Sequence, residues 1–340
     1  MVRPIPKPEK PLTRKERDER IAAHLPSVLQ YHNTMLTDRV RNKLLQKAIR
    51  KAFKPGMSFL DIGAGTGVWA ILAAKLGASR VVAIETEESL IPVIGRLAQE
   101  NGVADKIEIV HGRSNDVRLS GRFDLIVSEI FDSDAFGKET IESFVDIRER
   151  FLAKDGIFIP EKFELMAAPI VYPGTAAAEA SGLGIKTTFL REMKLNYSDS
   201  INYSSASDLK FLAEPVAIIS IDFRTVENGS YSAAGEGTWR VRNLAKADAV
   251  ATFPRSTFLG DIVMNSLDSQ SWAASAYPFK RLESGPGRLK FKLSPDLNSW
   301  SVSLPDLPEL NEHNYSPVFA FTRLKMAQKT TPHRRFRKRR

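Results

Sequence analysis

Apolar and polar residues follow two different rhythms along this 340-residue chain, and the change falls near Pro160. Before it, short apolar runs alternate with stretches of helical spacing. Phe59, Leu60 and Ile62 make the first run, and Val68-Trp69-Ala70-Ile71-Leu72-Ala73-Ala74 predicts the opening turns of a helix just after it. Arg80–Glu85, Lys106–Val110, Phe123–Val127 and Gly156–Ile159 predict further strands. Helices are predicted over Thr86–Asn101, with Pro92 in its first turns, and over Ile141–Ala153. This alternation implies a parallel, doubly wound sheet with its ligand at the C-terminal ends of the strands.

After Pro160 the predicted strands are Phe163–Tyr172, Val216–Phe223, Thr238–Arg242, Leu289–Lys292, Trp300–Ser303 and Val318–Arg323. Gly, Pro, Ser and Asn separate them, which predicts an antiparallel, barrel-like β domain. A helix-compatible insert around Thr188–Asp208 interrupts it. At the other end, Thr13 and Glu16 have capping-box spacing and predict a helix from Thr13 to Leu25, stopped by Pro26. His32–Asn42 predicts a further amphipathic helix. The fold class is thus α/β + β. The predicted domains are a basic N-terminal extension over 1–30, a Rossmann-like domain over 31–160, a barrel-like domain over 161–326 with its insert at about 185–210, and a basic tail over 327–340.

Composition narrows the function classes. No stretch approaches 18 uninterrupted apolar residues, which predicts no membrane span, and the polar, proline-bearing N-terminus is not a secretory signal. The absence of cysteine excludes disulfides, thiolate chemistry and cysteine-ligated metals, and points to the cytoplasm, with the nucleus open in a eukaryote. The five histidines show no metal-ligand spacing, so no metal is expected. The net charge of +9 belongs to the ends: Gln328–Arg340 carries seven Lys or Arg and no acid, and Met1–Arg20 carries seven against four. The C-terminal run reads either as a solvated end or as a site for nucleic acid or another acidic partner.

The chemistry concentrates at Met57-Ser-Phe-Leu-Asp-Ile-Gly-Ala-Gly-Thr-Gly67. A glycine-rich turn between strand and helix lets a ligand lie against bare backbone at a helix N-terminus. The third glycine is Gly67, one residue short of the dinucleotide fingerprint, which would need glycine at Val68. Glu85 ends the second strand, 22 residues after Gly63, where a carboxylate can hydrogen-bond both ribose hydroxyls of a nucleoside. Asp61-x-Gly63-x-Gly65-x-Gly67 resembles motif I of the class I S-adenosylmethionine-dependent methyltransferases. Met35-Leu36-x-Asp38-x-x-Arg41, shortly before it, is similar to the lid helix of the protein arginine methyltransferases. The resemblance implies S-adenosyl-L-methionine as cofactor and S-adenosyl-L-homocysteine as product. It implies that Arg41 pairs with the cofactor carboxylate, that Asp61, Gly63, Gly65 and Glu85 hold its body, and that Ser114 and Asn115 border the adenine.

The fourth strand runs into Ser128-Glu129-Ile-Phe-Asp132-Ser-Asp134-Ala-Phe-Gly-Lys138-Glu139. This segment lacks the Asn/Asp-Pro-Pro-Tyr type of motif used on amino groups of bases. It resembles the double-glutamate loop of arginine methyltransferases, and most closely that of the monomethylating branch. A guanidinium is a poor nucleophile because its charge is delocalised and its pKa exceeds about 12. Carboxylates in its plane can localise the charge on one nitrogen and aim another at a methyl donor. Glu129 is the first candidate, and it also borders the cofactor in the family. Aligned without a gap, the second glutamate falls on Lys138; Glu139 shifted by a bulge, Asp132 or Asp134 could replace it. The family's Thr-His-Trp loop corresponds to Gln270-Ser271-Trp272. The sequence therefore reads as a guanidino N-methyltransferase acting on arginine in a protein or peptide, with the insert forming a homodimer. The alternatives are a small guanidino or amino metabolite as acceptor, or a non-catalytic scaffold of the same fold.

Overall fold

The computed structural model describes residues 13–130, 136–172, 185, 187–201, 209–231, 234–280, 282–295, 297–306 and 313–317. The chain forms two compact units, Met1–Ile130 with Asp146–Ile159 and Phe131–Val145 with Pro160–Arg340.

The first unit opens with α1 (Arg14–Thr37). The Thr13 hydroxyl accepts from the Glu16 amide at 3.3 Å, and the Glu16 carboxylate accepts from the Thr13 amide at 2.8 Å, so the capping box is formed. The helix does not stop at Pro26 as the sequence rule predicts; it passes through the proline for 24 residues. Tertiary anchors on both sides outweigh the one lost backbone bond: Arg17 pairs with Glu88 before the proline, and Val28 is buried after it. The predicted helix over His32–Asn42 is in fact a junction. Asp38 is extended, and its carboxylate accepts from the Arg41 amide at 3.0 Å, capping α2 (Arg39–Ala52).

The parallel sheet is built from β1 (Ser58–Ile62), β2 (Arg80–Glu85), β3 (Ile107–His111), β4 (Phe123–Ser128) and β5 (Leu152–Ile159), in the order β3-β2-β1-β4-β5. The helices α3 (Val68–Lys75), α4 (Ile91–Glu100) and α5 (Lys138–Phe151) connect its strands. Phe59 and Leu60 of β1 are fully buried, and each such side chain contributes roughly 1.5–3 kcal/mol by leaving water. The strand order reverses between β1 and β4, which opens a crevice at their C-terminal ends. Gly63 leaves β1 there and Glu129 follows β4.

The second unit contains β6 (Lys162–Val171), α6 (Thr188–Lys194), β7 (Asp199–Ile201), β8 (Lys210–Phe211), β9 (Val216–Asp222), β10 (Gly235–Val241), β11 (Ala249–Leu259), β12 (Ile262–Asn265), β13 (Ala274–Pro278), β14 (Gly287–Leu293), β15 (Trp300–Ser303) and β16 (His313–Tyr315). They make two antiparallel sheets, one in the order β10-β14-β15-β16 and one centred on β6 and β11. The α/β + β architecture is the one expected. The predicted strand Val318–Arg323 lies outside the described residues. The sequence pattern missed β11, at 11 residues the longest strand among the described residues, because Pro254 interrupts it. Pro254 lies between the stretch paired with β13, Ala249–Thr252, and the stretch paired with β12, Arg255–Leu259. No ladder bond on that side needs its missing N–H. Among the described residues, no helix is long and apolar enough to cross a membrane.

Candidate active site

The glycine turn is shaped by what surrounds it. Gly63, Gly65 and Gly67 all have positive φ, at 68°, 56° and 78°. A side chain at Gly65 would be strained by that φ, and its Cβ would stand 2.8 Å from the His32 ring. Gly67 is the N-cap of α3. The amides of Gly63 and Ala64 both donate to the Ile84 carbonyl at 3.0 Å, which ties the turn to β2.

Two carboxylates brace this turn. Asp61 is 1% exposed, and its Oδ2 accepts from the Ala70 amide at 3.0 Å, satisfying a donor that the first turn of α3 cannot satisfy itself. Burial pushes its pKa up to about 7, with the Ala70 hydrogen bond opposing. Asp61 thus acts on the helix that presents the turn. Glu85 accepts from the Gly65 amide at 2.6 Å through Oε2, and from the Thr86 and Glu87 amides at 2.7 and 2.8 Å through Oε1. Oε2 keeps a free lone-pair direction for a ligand hydroxyl.

Arg41 and Glu129 come together although 88 residues separate them in sequence. The Arg41 Nε donates to Glu129 Oε1 at 3.1 Å, and Nη2 donates to Oε2, a bidentate pair. Both side chains are nearly buried, at 7% and 8% exposure. Burial lowers the Arg41 pKa to about 10, while Asp38 pulls it back up. Its remaining Nη1 donates to Asn42 Oδ1 at 2.9 Å, and Asn42 donates in turn to the carbonyls of Met35 and Leu36 at the end of α1. The residue before Glu129, Ser128, has a fully buried hydroxyl with no hydrogen-bond partner.

The turn after β3 is held from α5. Arg150 donates to the Val117 carbonyl at 2.9 Å and to the Ser114 carbonyl, and pairs with Asp146. Ser114 donates to Asn115 Oδ1 at 3.2 Å. A cavity of about 890 Å³ lies just past the end of β2, lined by Thr86, Glu87 and His111 and by Arg17, Arg20 and His24 of α1. That volume is ample for a nucleoside-sized ligand. Bare glycine backbone, a ribose-reaching carboxylate and an unsatisfied buried hydroxyl together fit a nucleoside-bearing cofactor. Among the described residues, no three His, Asp or Glu side chains gather as a metal site.

The other acceptor candidates are placed separately. Glu139 is exposed in the first turn of α5, its carbonyl accepting from the Ser143 hydroxyl at 2.9 Å. Asp132 and Asp134 lie outside the described residues. The amides of Ser271 and Trp272 both donate to Ser269 Oγ, at 3.3 and 3.2 Å. Trp272 stands edge-on to Phe163 at 5.6 Å, and Phe163 stacks on Phe136 at 4.8 Å.

With this geometry in view, the likenesses to known proteins acquire a physical meaning. The sequence profile of the ribosomal protein L11 methyltransferase family (PrmA) matches residues 42–160. A probable protein arginine N-methyltransferase 6 of Arabidopsis thaliana is 31% identical over 144 residues, 42% of this chain and 33% of that protein. An arginine N(omega)-methyltransferase of Streptomyces achromogenes subsp. streptozoticus is 34% identical over 143 residues, 41% of this chain and 40% of that protein. The matched stretch thus spans a third to two fifths of these relatives. The Trypanosoma brucei PRMT1 enzyme–prozyme complex with AdoHcy superposes with a TM-score of 0.68 at 17% identity, covering 84% of this chain and 96% of that one. The whole architecture, parallel sheet and antiparallel sheets together, is therefore the fold seen in protein arginine methyltransferases.

Sequence reasoning missed His32. Its ring lies against Gly65, and burial holds its pKa below the ordinary imidazole value despite the opposing pull of Glu85. The available signal was its place on α1, nine residues before Arg41. A lone histidine on a helix carries little weight until the glycine turn is folded beneath it.

Proposed function

We propose that this protein is an S-adenosyl-L-methionine-dependent N-methyltransferase that acts on the guanidino group of arginine in a protein or peptide. The observation that carries the acceptor class is the Arg41–Glu129 pair. Glu129 already grips a guanidinium in its plane, through both oxygens, beside the glycine turn. A carboxylate with that geometry recognises the same group on an acceptor.

The cofactor would lie on Gly63, Gly65 and Gly67, with Glu85 at its ribose, Ser114 and Asn115 toward its base, and Arg41 or His32 at its carboxylate. When bound it supplies an electrophilic methyl group on a sulfonium. Glu129 then orients the acceptor guanidinium and concentrates its positive charge away from the attacking nitrogen. Glu139 and Asp132 are the residues we assign to the second carboxylate. S-adenosyl-L-homocysteine is the product. We place the enzyme in the cytoplasm on its cysteine-free sequence. We further propose a homodimer formed through the insert, where Phe189 and Leu190 of α6 are exposed apolar residues, 46% and 57% accessible.

A free guanidino compound is the second reading. Lys138, where the second carboxylate falls when aligned without a gap, is what keeps it open. The deciding experiment incubates labelled S-adenosylmethionine with an arginine-rich peptide panel and with free arginine. Wild type is run beside Glu129→Gln and Lys138→Ala, and products are resolved by mass spectrometry. Methylarginine in peptides, lost in Glu129→Gln, supports the first reading. Product from free arginine alone supports the second. Cofactor binding with no product from either acceptor would leave a scaffold, and absent binding would overturn the assignment.

A further inference from the structure

One strongly charged surface takes no part in the site described above. From Ile21 to Leu60 the chain carries seven Lys or Arg, of which only the buried Arg41 belongs to that site, and a single acid, Asp38. Asp38 is fully buried as the cap of α2, so every exposed formal charge on this stretch is positive. The residues between the two basic ends of the chain are near neutral as a whole, which makes this stretch a local concentration of charge.

The helix α2 sorts these charges onto one face. Arg41, Leu45, Ala48, Ile49 and Ala52 are buried. At 100° per residue, Arg39, Lys43, Lys47, Arg50 and Lys51 fall within a sector of about 120° on the opposite side. All are exposed, and Lys54 continues the row just beyond the helix. Arg39, Lys43, Lys47, Arg50 and Lys54 make no ion pair among the described residues. From Arg39 to Lys51 the row runs about 18 Å along a straight rod.

We infer that this face of α2 is a docking surface for the phosphate backbone of duplex DNA. Protein interfaces rely on a buried apolar or aromatic centre and are depleted in lysine. The row on α2 is lysine-rich, with Val40 the one uncharged residue in its sector. Membrane insertion needs an apolar face free to enter the lipid, and that face of α2 is packed into the core. Single strands are held on aromatic platforms in a groove, whereas this surface is the convex side of a helix with no aromatic residue in the row. A duplex offers the highest density of fixed negative charge and asks only for regularly spaced cations. Contacts of this kind carry no base information, so binding is independent of sequence. The basic run Gln328–Arg340 is a second concentration of cations in the sequence.

The test is fluorescence anisotropy of the full-length protein with a labelled 20-base-pair DNA duplex across a salt series. The wild type is compared with Lys43→Gln/Lys47→Gln/Arg50→Gln. Both are repeated in a full-length background with Arg334, Arg335, Arg337 and Lys338 changed to Gln. An unchanged thermal midpoint shows that the variants fold. The expected result is at least a tenfold loss of affinity at 0.1 M salt in both backgrounds, with a salt slope smaller by about 2–3, one increment of about 0.9 per phosphate contact. A triple variant that binds as tightly as wild type would overturn the proposal. So would tighter binding to a single strand of equal length, to polyglutamate or to anionic phosphatidylserine vesicles than to the duplex.

Discussion

The Arg41 guanidinium on α2 and the Glu129 carboxylate just past β4 neutralise each other, each nearly sealed from water. The proposed function gives each of them a ligand to hold, a cofactor carboxylate for one and an acceptor guanidinium for the other. Without ligands each serves as the other's stand-in. Removing one partner leaves a buried charge unpaired, which costs about 3–5 kcal/mol. We expect Arg41→Ala to lower unfolding free energy by about 3 kcal/mol in urea titration. The double variant Arg41→Ala/Glu129→Ala should lose less than the two single losses added together. Strict additivity would show that the pair is not formed in solution.

Asp61 sets a pH dependence. Its folded pKa of about 7 lies above an ordinary value near 3.8. Between those values the native state keeps a proton that the unfolded chain has released. The associated stability is complete below about pH 4 and is lost as pH rises through 7. In Asp61→Asn, whose amide oxygen can still accept from Ala70, that decline between pH 4 and 7 should flatten. Chemical denaturation at a series of pH values measures it, and an unchanged decline would assign it to another group.

The glycine turn makes a sharper prediction at Gly65. Gly65→Ala places a Cβ against His32 and forces a non-glycine residue into left-handed backbone, at about 1–2 kcal/mol. Calorimetric binding of S-adenosylhomocysteine should fall at least tenfold. Adding His32→Ala removes the clash but not the backbone strain, so stability should recover in part. No recovery would mean that the ring does not lie where described.

Ser128 tests the fit of the cofactor site from the other side. Its hydroxyl is buried without a partner, so deleting it removes a desolvation penalty instead of a bond. Ser128→Ala should melt at the same temperature as wild type or higher when ligand-free. Its affinity for S-adenosylhomocysteine should nevertheless drop several-fold, which equilibrium dialysis can read.

Much of this site could be read from residue types alone, and the limit of that reading is physical. Gly63, Gly65 and Gly67 declare their backbone by having no side chain, and Glu85 is found by counting along one βαβ unit. The Arg41–Glu129 pair could not be read so, because it depends on two elements brought together only by the finished sheet. Local rules also failed where tertiary anchoring outweighed them. Pro26 reads as a stop, yet α1 is held on both sides of it. Pro254 reads as a strand breaker, yet on the side of β12 and β13 it falls between the two paired stretches. Asp38 reads as one more polar residue on a helix, until its buried carboxylate is seen to begin a new one.

That junction at Asp38 has a mechanical consequence. Two long helices meet there with no loop between them, and α2 is fastened to the sheet by Leu45, Ala48 and Ile49. A displacement of α1 is therefore a rotation about one residue, with Arg17 at the end of a lever about 31 Å long. A swing of only 15° carries that end about 8 Å, enough to open the cavity between α1 and Thr86 while Asn42 and Arg41 at the fulcrum scarcely move. Under the proposed function, the Arg17–Glu88 contact at the far tip is then the latch on exchange of spent for fresh cofactor, set apart from the buried charges that hold the ligands.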